Sequence, residues 1–281
     1  MPFGLAGLRV GLAVTAGVTL AVALLALDAR ATYGARVTAD EPQYLLTAIS
    51  LGDDLDLDIS DELAEQRFRG FHGVDLDPQT IALDRAGRRV SPHDPLLPAL
   101  LAVPMAIGGW ALAKATMAVI AATTAAATVW LAVRRFAVSV PTAVVVTTAL
   151  FCTPPLVAYG NQIYPEMPAA LAVVIGVGVV TGRPTVRSQW PAMVAVIALP
   201  WLAVKYTPVA LVIAIALLAP ILLAPILGRA DEPNHRDTRR KNRRRALVPI
   251  VILAGAAVSY LAAHRWLYGG WTVYAAGDHF V

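Results

Sequence analysis

Asp40 and Glu41 stand side by side just ahead of Pro42, in the stretch ADEPQYLLTAISL. Carboxylates in such a place can do three things. They can take a proton from a substrate hydroxyl, bind a cation through their oxygens, or accept hydrogen bonds from the free N–H groups that open a helix. Pro42 suits the first turn of a helix, where its missing N–H costs nothing. Apolar residues at 44, 45, 48, 49 and 51 then keep helical spacing. The pattern predicts a short helix lying on a surface with one face buried and Asp40 or Glu41 at its mouth. For a lone acidic pair the capping role is the commoner one. The pair is not alone, however: thirteen of the nineteen Asp and Glu fall between Asp40 and Asp94.

Further along, DDLDLDISDELAE alternates Asp and Leu, which puts Asp54, Asp56 and Asp58 on one side of an extended segment. The same stretch nearly spells a calcium loop, with Asp54, Asp56, Asp58, Ser60, Glu62 and Glu65 at the ligating positions. Its sixth position, which needs Gly for a sharp turn, is Ile59. No clear helix pair flanks it, so it reads as a solvated polar edge. His93 and Asp94 follow in SPHDPLLPALL, and Tyr164 and Glu166 in GNQIYPEMPAAL. Glu166 opens an apolar run, a position the helix dipole favours without any function. Lys205 is the only charge between two apolar runs, and snorkelling to an interface accounts for it as readily as ligand binding does. Arg265 lies near the end of the last run. The single Cys152 excludes a disulfide framework and a Cys-based metal site.

The elements that must hold these groups are apolar. Hydrophobic residues make up 57% of the 281-residue chain, above the roughly 45–50% of a soluble domain. Residues 7–27 carry one charge, Arg9, and are long enough to cross a ~30 Å hydrocarbon core. They lack a small-residue cleavage site, so they read as a retained span. Similar runs lie at 111–133, 140–159, 166–182, 190–204, 207–228 and 246–267. Residues 229–245 hold eight Lys or Arg against three acids, which the positive-inside rule makes a cytoplasmic loop rather than a nucleic-acid site.

Fixing that loop inside orients the chain. Seven spans put the amino terminus, Arg134-Arg135 and 182–187 inside. They put the acidic loop 28–110, the turn at 160–165, Lys205 and the tail 268–281 outside. That threading requires 95–109, PLLPALLAVPMAIGG, not to cross; its length and its three prolines suit a segment lying in the interface. The predicted fold is therefore an all-α polytopic membrane protein forming one membrane domain, with about seven transmembrane helices and short interfacial helices in a large first outer loop.

ADEPQYLLTAISL, GDDLDLD, SPHDPLLPALLAVPMAIGG, YGNQIYPEMPAAL, LPWLAVKYTP and YGGWTVYAAGDHF follow one another in this order over most of residues 36–280. As a series they resemble the GT-C membrane glycosyltransferases, in particular bacterial relatives of the dolichyl-phosphate-mannose protein mannosyltransferases. The resemblance implies a sugar donor carried on polyprenyl phosphate, transfer on the outer face of the bacterial plasma membrane, and membrane lipids around the site. It implies a catalytic base or metal-linked acid at Asp40, with Glu41 beside it. Asp94 departs from the small residue or Pro usual after the loop His, which leaves the role of His93 open. The family also runs on to further spans and an outer domain. This chain would then be a fragment, a shortened relative, or half of a pair completed by a second polypeptide.

The chemistry of such a transfer needs a base for the acceptor hydroxyl. It also needs positive groups or a divalent metal ion where charge builds on the departing phosphate. Asp40 would be the base and Lys205 and Arg265 the cations, with His93, Asp94, Tyr164 and Glu166 lining the substrate. Two rival readings are a non-catalytic partner or pseudoenzyme and a transporter or flippase. The scarcity of acids within the apolar runs speaks against the transporter.

Overall fold

The computed structural model describes residues 5–30, 34–82, 88–182, 189–227 and 235–276. Ten α-helices run in order: α1 Leu5–Leu25, α2 Glu41–Asp53, α3 Ser60–Ala64, α4 Leu96–Arg135, α5 Val140–Phe151, α6 Leu156–Tyr159, α7 Glu166–Val180, α8 Trp190–Leu202, α9 Thr207–Leu227 and α10 His235–Tyr268. Two two-residue strands, β1 Ile81–Ala82 and β2 Arg89–Val90, pair antiparallel. The chain is all-helical in architecture. Among the described residues, three helices are long and apolar enough to cross a membrane by length and composition: α1, α4 and the Leu247–Tyr268 part of α10. The apolar helices α5, α7 and α8 are shorter. The twelve residues of α5 rise only about 18 Å at 1.5 Å each.

Small residues let the helices approach. A Cβ added at Gly11 of α1 would stand 2.7 Å from Val144 of α5, and one at Gly176 of α7 would stand 2.9 Å from Ile213 of α9. Arg135, at the end of α4, donates to the carbonyl of Gly178 in α7 at 2.9 Å. Asn161 donates to the Ala23 carbonyl at 2.8 Å and so ties the turn before α7 to the end of α1.

Four elements differ from what the apolar pattern suggests. The 40-residue α4 is two helices meeting at Gly108 and Gly109, whose backbones leave helical geometry. Gly109 has φ 60° and ψ −158°, a region open in practice to glycine alone. The break falls at the Gly pair that ends PLLPALLAVPMAIGG, and Pro104 is accommodated within the first helix. The 140–159 run is interrupted after Phe151 and resumes as the single turn α6. Residues 235–245, expected in a loop, are the first turns of α10; 229–234 and most of 182–187 lie outside the described residues.

The fourth difference concerns α2. It is not a half-exposed surface helix: Glu41 through Ser50 are all buried. Tyr44, Leu45, Leu46 and Ile49 belong to the main core with Leu97 and Leu101 of α4, Ile163, Met167 of α7 and Leu199 of α8. The acidic loop closes over the polar side. Ser50 Oγ lies 2.9 Å from Asp56 Oδ1 and 2.9 Å from the Asp58 carbonyl, and Asp58 Oδ1 accepts from the Ser60 and Arg89 amides. Asp56 and Asp58 are therefore spent on folding the loop, and the sequential calcium-loop pattern does not form. Ile81 and Val90 pack against Tyr268 and Val273, which fastens the loop to the end of α10.

Candidate active site

The two members of the acidic pair do different jobs. Glu41 is 2% exposed. Its Oε2 accepts from the Thr38 amide at 2.9 Å and its Oε1 from the Ile163 amide at 2.8 Å. Burial raises its carboxyl above the ordinary value, against the lowering effect of those two amides. A carboxylate holding two backbone N–H groups across the fold is a structural staple, so Glu41 does not present itself to a substrate.

Asp40 occupies the N-cap position of α2 but its side chain makes no capping hydrogen bond. Capping, the commoner role for such a residue, is therefore not what holds this carboxylate. It turns instead toward His93, whose Nε2 stands 3.6 Å from Oδ2, and accepts from Gln79 Nε2 at 3.2 Å. The carboxylate is 37% exposed and open to a ligand. The pairing with His93 holds its carboxyl below the usual range; burial opposes this, while Gln79 and the more distant Lys205 reinforce it. Asp40 is thus ionised at neutral pH.

His93 is fixed by its own neighbours. Its Nδ1 lies 2.7 Å from Ser91 Oγ, and its ring packs against Tyr44 with centroids 4.6 Å apart. Ser91 is buried, so it orients the imidazole rather than acting as an exposed nucleophile. Tyr44 also meets Tyr164 edge-on, at 6.3 Å between centroids. Burial pushes the Tyr164 phenol up to about 12 and raises Tyr44 further. Both remain protonated at neutral pH and able to donate hydrogen bonds.

Lys205 and Glu166 are joined at 2.7 Å, with the lysine side chain 55% exposed. The second oxygen of Glu166 is buried without a partner. Lys205 Nζ also lies 5.3 Å from the ring centre of Tyr206. Lys205 is an accessible cation whose charge reaches Asp40.

Asp94 is the least expected member. It is buried, and it gathers three elements. Its Oδ1 lies 2.8 Å from His264 Nε2 and 3.4 Å from the Tyr260 hydroxyl, both on α10, and its Oδ2 accepts from the Val204 amide at 3.0 Å. His264 Nδ1 faces the Tyr260 carbonyl at 2.9 Å. Both ring nitrogens thus face oxygen atoms, which fixes the orientation of the imidazole. Asp94 holds the loop of His93 against the turn of Lys205. Its contacts are all with protein groups, those of a positioning residue.

Arg265, the next residue along α10, does not join this cluster through any bond it makes: it is exposed and donates to the Gly269 carbonyl of its own helix end. Successive helical residues point about 100° apart, so only one of the two can face inward, and here it is the histidine. Sequence reasoning also passed over Lys114, buried in α4 and donating to the Arg36 carbonyl at 2.7 Å. An ionisable residue inside an apolar run is a signal that could have found it. A cavity of about 310 Å³ lies at the other end of α2, lined by Ile49, Asp53, Arg67, Met105 and Trp110 among others. Neither Asp40 nor His93 belongs to a group of three acidic or histidine side chains close enough to share a metal ion, among the described residues. No protein-family model, no curated protein and no solved structure matches the chain.

Proposed function

We propose that this chain is an integral membrane glycosyltransferase, moving a sugar from a polyprenyl-phosphate donor to an acceptor hydroxyl on the outer face of the bacterial plasma membrane. The observation that carries the reading is Asp40: an ionised, accessible carboxylate at a helix mouth that spends none of its hydrogen bonds on the helix. In the transfer, the acceptor oxygen bonds to the anomeric carbon as the bond from that carbon to the phosphate oxygen breaks. The hydroxyl proton passes to Asp40, and polyprenyl phosphate leaves. Lys205 exchanges its Glu166 partner for the phosphate, countering charge where it builds. Tyr164 donates to sugar oxygens.

Depressed acidity makes Asp40 a weaker base than one poised near neutrality. Its role is therefore to orient the hydroxyl and take the proton late, once the sugar–phosphate bond has largely broken. Membranes bearing the chain, given a radiolabelled polyprenyl-phosphate hexose, are expected to move label into envelope acceptors above vector-control membranes. Label that stays wholly on the lipid across a panel of hexose donors would sink the reading.

Seven spans with an inside amino terminus complete the proposal, because that threading satisfies every basic cluster. Single cysteines at Asp75, whose side chain is 96% exposed, and at Asn242, with Cys152 replaced by Ser, test it. An impermeant thiol reagent added outside intact cells is expected to label position 75 and spare 242. The reverse pattern would invert the topology and place Asp40 on the cytoplasmic side.

A further inference from the structure

The stretch from Asp54 to Glu62 was expected to be solvated, yet Glu62 is 1% exposed and both of its carboxylate oxygens are enclosed without a hydrogen-bond partner. One of its oxygens belongs to a group with oxygens of Asp54 and Asp61, all within 4.8 Å of one another. Oxygens bound to one calcium ion at 2.3–2.6 Å can lie about 4.6–5.2 Å apart across it, so the group fits a single ion of that size.

The nearby guanidinium of Arg67 is taken by Asp53 at 2.9 Å, with Glu65 at 3.9 Å. Asp56 and Asp58, the neighbouring acids, are occupied by Ser50, Ser60 and Arg89. Burial, with Asp61 beside it, pushes the Glu62 carboxyl up to about 8; ionised carboxylates only accept hydrogen bonds, so a cation among the three oxygens is what would let all three acids ionise together. We propose that Asp54, Asp61 and Glu62 form a binding site for a calcium-class divalent cation that pins the end of α2 to α3. Asp54 caps the end of α2, and Asp61 and Glu62 lie in the first turn of α3. Asp54 and Asp61 are exposed and leave the ion a route in, with water completing its coordination.

The site does not depend on the glycosyl-transfer reading. The test uses the full chain purified in detergent and stripped of divalent ions, with calcium chloride titrated against potassium chloride of equal ionic strength. Radioactive calcium binding and thermal unfolding are both followed. Wild type is expected to bind one calcium at this site, with a dissociation constant on the order of 10⁻⁴–10⁻³ M, as for extracellular modules, and to unfold at higher temperature when loaded. Glu62→Gln keeps the shape of the side chain and removes its charge; binding there should weaken at least about tenfold, since a charged ligand is lost. Asp54→Asn provides an independent second variant, expected to weaken binding in the same direction. Asp40→Asn should bind calcium like wild type, which separates this site from the transfer site. A wild type indifferent to calcium and a Glu62→Gln variant of raised stability would show that the acids share a proton instead, and would overturn the proposal. Equal calcium response in wild type and both cluster variants would overturn it too.

Discussion

Asp40→Asn is expected to lower sugar transfer by about 10²-fold or more, the lower end of what a positioned proton acceptor contributes, with membrane insertion unchanged. A loss of that size corresponds to about 2.7 kcal/mol of transition-state stabilisation. Folding should survive because the Asp40 side chain makes no capping bond. For the same reason Asp40→Ala should also fold, so the two variants agree rather than separate. Glu41→Gln is the informative contrast. Its amide keeps one acceptor oxygen but cannot accept from both the Thr38 and Ile163 amides, so the protein should lose stability in detergent while each folded molecule turns over normally. The measurement is transfer per folded molecule, with folded protein counted by gel filtration. Undiminished transfer in Asp40→Asn would remove the base from Asp40.

Acid sensitivity follows from the same contacts. The Asp40 carboxyl lies below its ordinary value of 3.8 in the folded protein, chiefly through His93. A depressed carboxyl contributes stability that is fully present above its unfolded value and is lost as pH falls through the folded one. Between pH 5 and 8 Asp40 therefore does not titrate, and any inflection in the rate there belongs to another group.

The apolar runs were legible because membrane-length hydrophobicity is a local property, and the acidic cluster was legible because it is a matter of count. What a carboxylate does is not local. Glu41 differs from Asp40 because the Ile163 amide, 122 residues away, meets its oxygen. Asp94 could be seen to sit at a run boundary, but its partner His264 lies 170 residues on and was hidden beside the more conspicuous Arg265. Glu62 read as one of many solvated acids, since alternation with leucine says which side a residue faces and not whether another segment covers that side. The acids alone also gave no hint of which would serve the fold. Asp56, Asp58 and Glu41 are consumed by amides and hydroxyls, whereas Asp40 stays charged and reachable beside His93.

The largest stability effect is expected at Asp94. Removing one partner of a buried hydrogen-bonded pair costs about 1–3 kcal/mol for each polar group left unsatisfied. Asp94→Ala leaves the His264 imidazole and the Val204 amide without their shared partner. The side chains of the pair are 2% and 0% exposed, so water does not readily take over. A double variant, Asp94→Leu with His264→Leu, removes both polar groups and fills much of the space. Well-packed apolar replacement of a buried pair is often near neutral, so the double variant should unfold later than Asp94→Ala alone. Thermal denaturation in detergent, followed by loss of monodisperse protein, reads this order directly. The two readouts then part company. The double variant should be folded yet transfer slowly, because nothing remains to hold the Val204–Lys205 turn against the loop of His93. Restored folding with restored transfer would show that Asp94 serves stability alone, and that Lys205 and His93 find their places without it.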